Sequence, residues 1–168
     1  MKHIASILLV LLIAVASFAQ DAKELVAEGQ KLSMKGDHKG AIENYNKAIS
    51  ADPSYLQAFL KRGFSYSALK EYDKAVQDYS TVIDAKPKQV WAYISRGGAY
   101  EKLGELDNAL ADFDAAVEID PKNSEAYNNR GWTKKALGDS KGACSDWKKS
   151  KKMGNQEAKI ILKNNQCK

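Results

Sequence analysis

The three prolines of this chain stand at positions 53, 87 and 121, with the same 34-residue interval both times. Gly29, Gly63, Gly97 and Gly131 keep that interval, and so do Ala41, Ala75, Ala109 and Ala143. Large aromatics follow suit at Tyr45, Tyr79, Phe113 and Trp147. These columns share one register and place repeats at 22–55, 56–89, 90–123 and 124–157, without an insertion. A period of this length means one supersecondary unit repeated, each unit burying its apolar face against its neighbours.

The residue types explain the period. Each repeat reads as a pair of helices that cross closely where a side chain is small. Gly63 on the first helix and Ala75 on the second permit that approach, and Tyr66 and Tyr79 fill the space beside it. Glycine inside a helix costs ~1 kcal/mol relative to alanine, so close packing has to offset it. The turn within each pair falls near Gly36, Lys70, Gly104 and Gly138, where a left-handed residue closes the first helix. Asp37, Asp73, Asp107 and Ser140 are the expected N-caps of the second helices. Proline then ends each of the first three repeats, and Asn155 stands in its place in the fourth.

The pattern resembles the tetratricopeptide repeat family over almost the whole chain beyond residue 19. Repeat 2 carries Phe59, Gly63, Tyr66, Ala75, Tyr79, Val82 and Pro87; repeat 3 carries Tyr93, Gly97, Tyr100, Ala109, Phe113, Ala116 and Pro121. Repeat 1 is looser, with Leu25 and Leu32 where aromatics are usual. The resemblance implies an all-α fold, a right-handed α-solenoid of four helix-turn-helix repeats with a C-terminal capping helix at 156–166.

One further column is charged. Arg62, Arg96 and Arg130 precede the glycines, and Asp78, Asp112 and Asp146 follow sixteen residues later; repeat 1 has Glu28 and Asn44 instead. A charge pair recurring at fixed spacing predicts a contact between the two helices of each of the last three repeats.

The two ends of the chain differ from its body. Residues 1–19 hold 15 hydrophobic residues and one charge, Lys2, and finish on Ser17-Phe18-Ala19. That reads as a signal peptide cleaved before Gln20, with an uncleaved membrane anchor as the alternative. The run is shorter than the ~20 residues of a spanning helix, so no stable membrane span is expected after cleavage. A periplasmic or secreted location follows, in a compartment where disulfides persist. Cys144 and Cys167 flank the Gly154 turn at similar heights of an antiparallel pair, which makes a bond between them plausible; two free thiols are the alternative.

Net charge is +5, but residues 20–133 hold 15 basic and 18 acidic residues, whereas 134–168 hold 10 and 3. The excess gathers at Lys148, Lys149, Lys151 and Lys152. This is a solubilising helix end or a dock for an acidic partner rather than a nucleic-acid surface.

Catalytic motifs are missing from the sequence. There is no G-x-S-x-G, H-E-x-x-H, phosphate loop or G-x-G-x-x-G, and beyond residue 19 the one histidine is His38. No enzyme activity, metal or cofactor is expected. In the resembled family the first helices line a concave groove that binds peptides or partner proteins. The matching positions include Val26, Leu60, Phe64, Trp91, Ile94, Asn128 and Trp132. Several of these could instead pack between repeats, and Trp91 and Trp132 are the stronger contact candidates. The Lys–Asn–Arg set with which some members clamp a terminal carboxylate is not present. The expected role is a scaffold that binds a protein or peptide, with self-association or polyanion binding through the basic end as alternatives.

Overall fold

In the computed structural model, residues 21–165 and Cys167 are described; the expected signal peptide lies outside them. The described residues form helices and turns only. Helix α1 covers 21–34, followed by α2 (His38–Ala51), α3 (Leu56–Ala68), α4 (Tyr72–Ala85), α5 (Val90–Leu103), α6 (Leu106–Ile119), α7 (Ser124–Ala136), α8 (Ser140–Lys152) and α9 (Gln156–Asn164). By contact the chain divides within α4 into two compact units, one ending at Thr81 and the other starting at Val82.

The turns inside the pairs follow the sequence closely. Gly36, Gly104 and Gly138 have φ of 84°, 80° and 90°, and Lys70 takes the same left-handed conformation at 63°. Asp37 caps α2 by accepting a hydrogen bond from the Gly40 amide. The other three expected caps sit further along. Asp73 and Asp107 lie in the first turns of α4 and α6, where a carboxylate still suits the positive end of the helix dipole. Ser140 is the first residue of α8, and Asp139 caps it by accepting from the Gly142 amide.

Between pairs, proline occupies the second position of a tight turn. The Tyr55 amide donates to the Asp52 carbonyl, Gln89 to Lys86, and Asn123 to Asp120. The fixed φ of proline prepares that turn. After α8 no proline is present, and Asn155 instead caps α9 by accepting from the Ala158 amide at 3.2 Å.

Each pair is held by one small-to-large contact. A Cβ built on Gly29 would stand 2.5 Å from the Tyr45 ring; on Gly63, 2.8 Å from Tyr79; on Gly97, 2.8 Å from Phe113; and on Gly131, 2.5 Å from Trp147. The rings are buried and have nowhere to move. In the first unit Tyr45 packs with Ala22, Val26, Ala41, Ala48 and Ala58; in the second Phe113 packs with Ile94, Ala109, Ala116 and Ala126. The last pair closes on α9, where Ala143 and Trp147 meet Ile161 and Leu162.

Adjacent glycines on α5 provide the test. Gly97→Ala should lower stability by roughly 1–3 kcal/mol, because the new methyl overpacks against Phe113. Gly98→Ala meets nothing within 4 Å and should raise stability by about 0.5–1 kcal/mol through helix propensity. Thermal unfolding followed by circular dichroism reads both; shifts of the same sign would refute this account.

Candidate functional site

The first helices carry the candidate binding residues, and rotation about each helix decides which of them reach solvent. Successive residues turn by about 100°, so positions three, four and seven apart lie on one face, and offsets of about 20–60° decide which of them are covered by the neighbouring helix. In the second unit Trp91 on α5 and Trp132 on α7 are 55% and 39% exposed. Ile94 and Asn128, by contrast, are buried, Ile94 within the Phe113 core. The first unit repeats the division. Phe64 on α3 is 58% exposed, Leu60 is half-buried and Val26 is buried beside Tyr45. Val26, Ile94 and Asn128 therefore belong to the interior rather than to an open groove.

Helices α5 and α7 lie against one another. The buried Thr133 hydroxyl donates to Glu101 Oε1 at 2.7 Å and ties them together. Burial pushes the Glu101 carboxyl above its ordinary value despite that bond. Trp132 is braced from beneath by Trp147, edge to face at 5.0 Å, and Lys135 Nζ stands 5.4 Å from its ring. Trp147 is itself fixed by donating from Nε1 to the Asn128 carbonyl at 3.2 Å. On α5, Gly98 leaves open space at the position that corresponds to Trp132 on α7. In the first unit, His38 meets Phe64 edge-on at 6.3 Å and its Nδ1 lies 3.3 Å from the Ser33 hydroxyl.

The Arg–Asp column forms as the spacing implies. Arg62 donates twice to Asp78, at 2.9 and 2.6 Å; Arg96 binds Asp112 at 2.8 and 2.7 Å, and Arg130 binds Asp146 at 2.8 and 2.7 Å. Aromatic seats complete the arrangement: Arg62 lies over Phe59 and Tyr66, Arg96 over Tyr93 and Tyr100, and Arg130 over Tyr127. These seats were missed in the sequence, although aromatics three residues before and four after the Arg are a readable signal. Arg62 also reaches back to Asn46 at 2.6 Å, and Arg130 to Asp114 at 2.7 Å, so each Arg joins its own pair to the preceding one.

In the fourth repeat Lys134 replaces the second aromatic and donates to Asp146 at 2.8 Å. Burial pushes the Asp146 carboxyl up, yet its bonds from Arg130 and Lys134 outweigh that and hold it below the usual range. Asp78 has a single cationic partner, and burial wins there, raising its carboxyl above the usual value.

At the C-terminal end Cys144 and Cys167 lie at disulfide distance, with Cα atoms 5.5 Å apart. A cavity of about 170 Å³ beside them is lined by Lys135, Ser140, Ala143, Cys144, Trp147 and Asn165. Lys148, Lys149, Lys151 and Lys152 are exposed on α8, with Lys149 Nζ 5.2 Å from the Tyr127 ring. Among the described residues, no three His, Cys, Asp or Glu side chains are grouped to hold a metal ion, and no helix is long and apolar enough to cross a membrane.

The fold and site define a class, helix-pair repeat proteins with an outward stripe on their first helices. Tetratricopeptide repeat models match residues 90–123 and 113–145, and a TPR repeat model matches 29–70 and 65–104. The chain belongs to the tetratricopeptide repeat family. It is 30% identical to the first TPR of Spaghetti (RPAP3) bound to the HSP90 peptide SRMEEVD, with 71% of this chain and 95% of that one covered and a TM-score of 0.69. The first TPR domain of human RPAP3 is 29% identical, with 71% and 94% covered and a TM-score of 0.68. MamA from Desulfovibrio magneticus RS-1, 24% identical with 79% and 75% covered and a TM-score of 0.75, shares the fold. No curated protein sequence matches the chain.

The two carboxylates should titrate in a fixed order. The lowered Asp146 contributes stability that is complete above the unfolded carboxyl value, about 3.9, and is lost as pH falls through its folded value. Raised Asp78 takes up its proton earlier, so acidification through its folded value favours the folded state at that site. Carboxyl NMR titration should place the Asp146 midpoint below that of Asp78, and Lys134→Ala should raise the Asp146 midpoint. The reverse order would overturn the role given to Lys134.

Proposed function

We propose that this protein is a non-catalytic interaction module that binds a protein or an extended peptide on the outward stripe of its first helices. The observation that carries this reading is the exposure of Trp91 and Trp132 on α5 and α7. Large aromatics dominate binding energy where a partner covers them, and here two stand exposed on neighbouring first helices. Trp132 is pre-set by Trp147, so little side-chain freedom is lost on binding. The space above Gly98 gives a ligand room to approach the helix closely. Family membership supports the class of partner and the absence of catalysis, since a relative is bound to a peptide. That peptide itself is not carried over, because this chain lacks the Lys–Asn–Arg set for a terminal carboxylate.

Export completes the proposal. The apolar segment at 1–19 acts as a cleaved signal, and the Cys144–Cys167 pair, oxidised outside the cytoplasm, fastens α9 onto α8.

Two measurements test these statements. Peptides selected against the immobilised protein should lose affinity about tenfold or more against the Trp91→Ala/Trp132→Ala variant, from the ~2 kcal/mol of a typical aromatic hot spot. Their binding should change little between low and high salt, unlike phosphate-dominated binding; undiminished binding to the double variant would sink the stripe. The secreted protein, alkylated without reduction, should label at neither cysteine. Reduction should cost about 3 kcal/mol of stability, as expected for a loop of this length; full labelling before reduction would rule the bond out.

A further inference from the structure

The first helix pair lacks the Arg seat of the later pairs. In repeats 2–4 the seat consists of an aromatic, an Arg three residues on, and an Asp sixteen residues after the Arg. Leu25, Glu28 and Asn44 hold those positions in repeat 1. All three line a hollow of about 670 Å³ on α1 and α2, together with Asp21, Glu24 and Ala51. Glu28 pairs with Lys31 on its own helix at 3.0 Å, an exposed contact of little energy that a stronger partner can displace. Asn44 donates from Nδ2 to the Gly40 carbonyl. Its Oδ1 is an acceptor by chemistry, standing where Asp78 and Asp146 accept from arginine. The hollow has an apolar wall in Leu25 and Ala51 and an anionic rim, with Glu28 at the position that arginine holds in the later repeats.

The chain carries a surface of matching chemistry at its other end. Helix α9 buries Ala158 and Ile161 and turns Lys159, Ile160 and Lys163 outward, Ile160 being 62% exposed. An exposed isoleucine flanked by two lysines at helical spacing matches a hollow with an apolar wall and a carboxylate rim. We infer that the occupant of the hollow is the α9 face of a second copy of this chain, joined head to tail. Lysine ammonium groups meet Glu24, Glu28 and Asn44, and Ile160 meets Leu25 and Ala51. The two surfaces differ, so the contact is heterologous and each joined pair still offers one of each; closed rings or open filaments follow. This contact does not involve the tryptophan stripe, so either can fail without the other.

Charge reversal on each face tests the pairing. Sedimentation velocity of the purified protein should show a weight-average coefficient that rises with concentration at low salt and less so at 0.5 M salt. Lys159→Glu/Lys163→Glu and Glu24→Lys/Glu28→Lys should each remain monomeric, with unchanged circular dichroism. An equimolar mixture of the two should associate again, because the reversed tail of one fits the reversed head of the other. A chain carrying all four changes should self-associate like the parent. A monomeric parent, or a mixture that stays monomeric, would overturn the proposal. So would loss of association in the lysine variant alone. Binding of the monomeric parent to phosphatidylglycerol vesicles, abolished only by the lysine changes, would assign the α9 face to an anionic surface instead and also overturn it.

Discussion

Everything in this structure depends on a missing β-carbon. Where the two helices of a pair cross, the ring of Tyr45, Tyr79, Phe113 or Trp147 occupies the volume that any side chain on Gly29, Gly63, Gly97 or Gly131 would need. The contact sets the separation of the helices. That separation in turn lets the alanine columns meet with no gap, since Ala41, Ala75, Ala109 and Ala143 are fully buried. A helix pair this thin has little core of its own and must bury its remaining apolar surface on the next pair. Repetition is the consequence of the close approach rather than an independent feature.

The arginine column performs a second task on top of that spacing. A guanidinium that donates two hydrogen bonds to one carboxylate, with aromatic faces beside it, is a part-buried charge with its partners fully specified. Removing one partner of such a pair typically costs about 3–5 kcal/mol, so the column punishes wrong register more than it adds stability. Its extension to Asn46 and Asp114 links consecutive pairs within each unit. The chain's first pair departs from the column, and its last pair adds a second cation. Both departures fall in the first and last helix pairs of the described residues.

Much of this was legible in the sequence, for identifiable reasons. Period, helix pairing, left-handed turns and the Arg–Asp contacts each rest on a residue type that does one thing well: glycine at a crossing or at positive φ, and arginine opposite aspartate at constant offset. Even Lys70 was locatable, because its turn is fixed by the register and not by its own propensity. What failed depended on angles of a few tens of degrees. Val26, Ile94 and Asn128 lie one turn from exposed positions and are buried, and no composition argument separates them from Phe64 and Trp132. Asp73, Asp107 and Ser140 lie one or two residues inside their helices; Asp139 takes the cap of α8, and Glu105 before α6 makes no side-chain cap bond. The hollow on α1 and α2 could not be foreseen at all: six ordinary residues line it, and no spacing or motif marks them as neighbours.

The paired glycines of α5 show how structural and functional constraints separate at adjacent residues. Both carry the intrinsic cost of glycine in a helix, about 1 kcal/mol each. For Gly97 the cost is offset by the Phe113 ring, which no side chain would allow into place. For Gly98 nothing in the fold offsets it, because the space above it is empty and alanine would fit. A sequence that is otherwise consistent from turn chemistry to core departs from the local optimum where something other than folding is being satisfied. Gly98 faces the same way as Trp132 on the neighbouring first helix, so its missing side chain widens the floor beside an exposed ring. The cost at Gly98 therefore falls on the surface proposed to bind a partner, and the cost at Gly97 on the contact that holds the pair together.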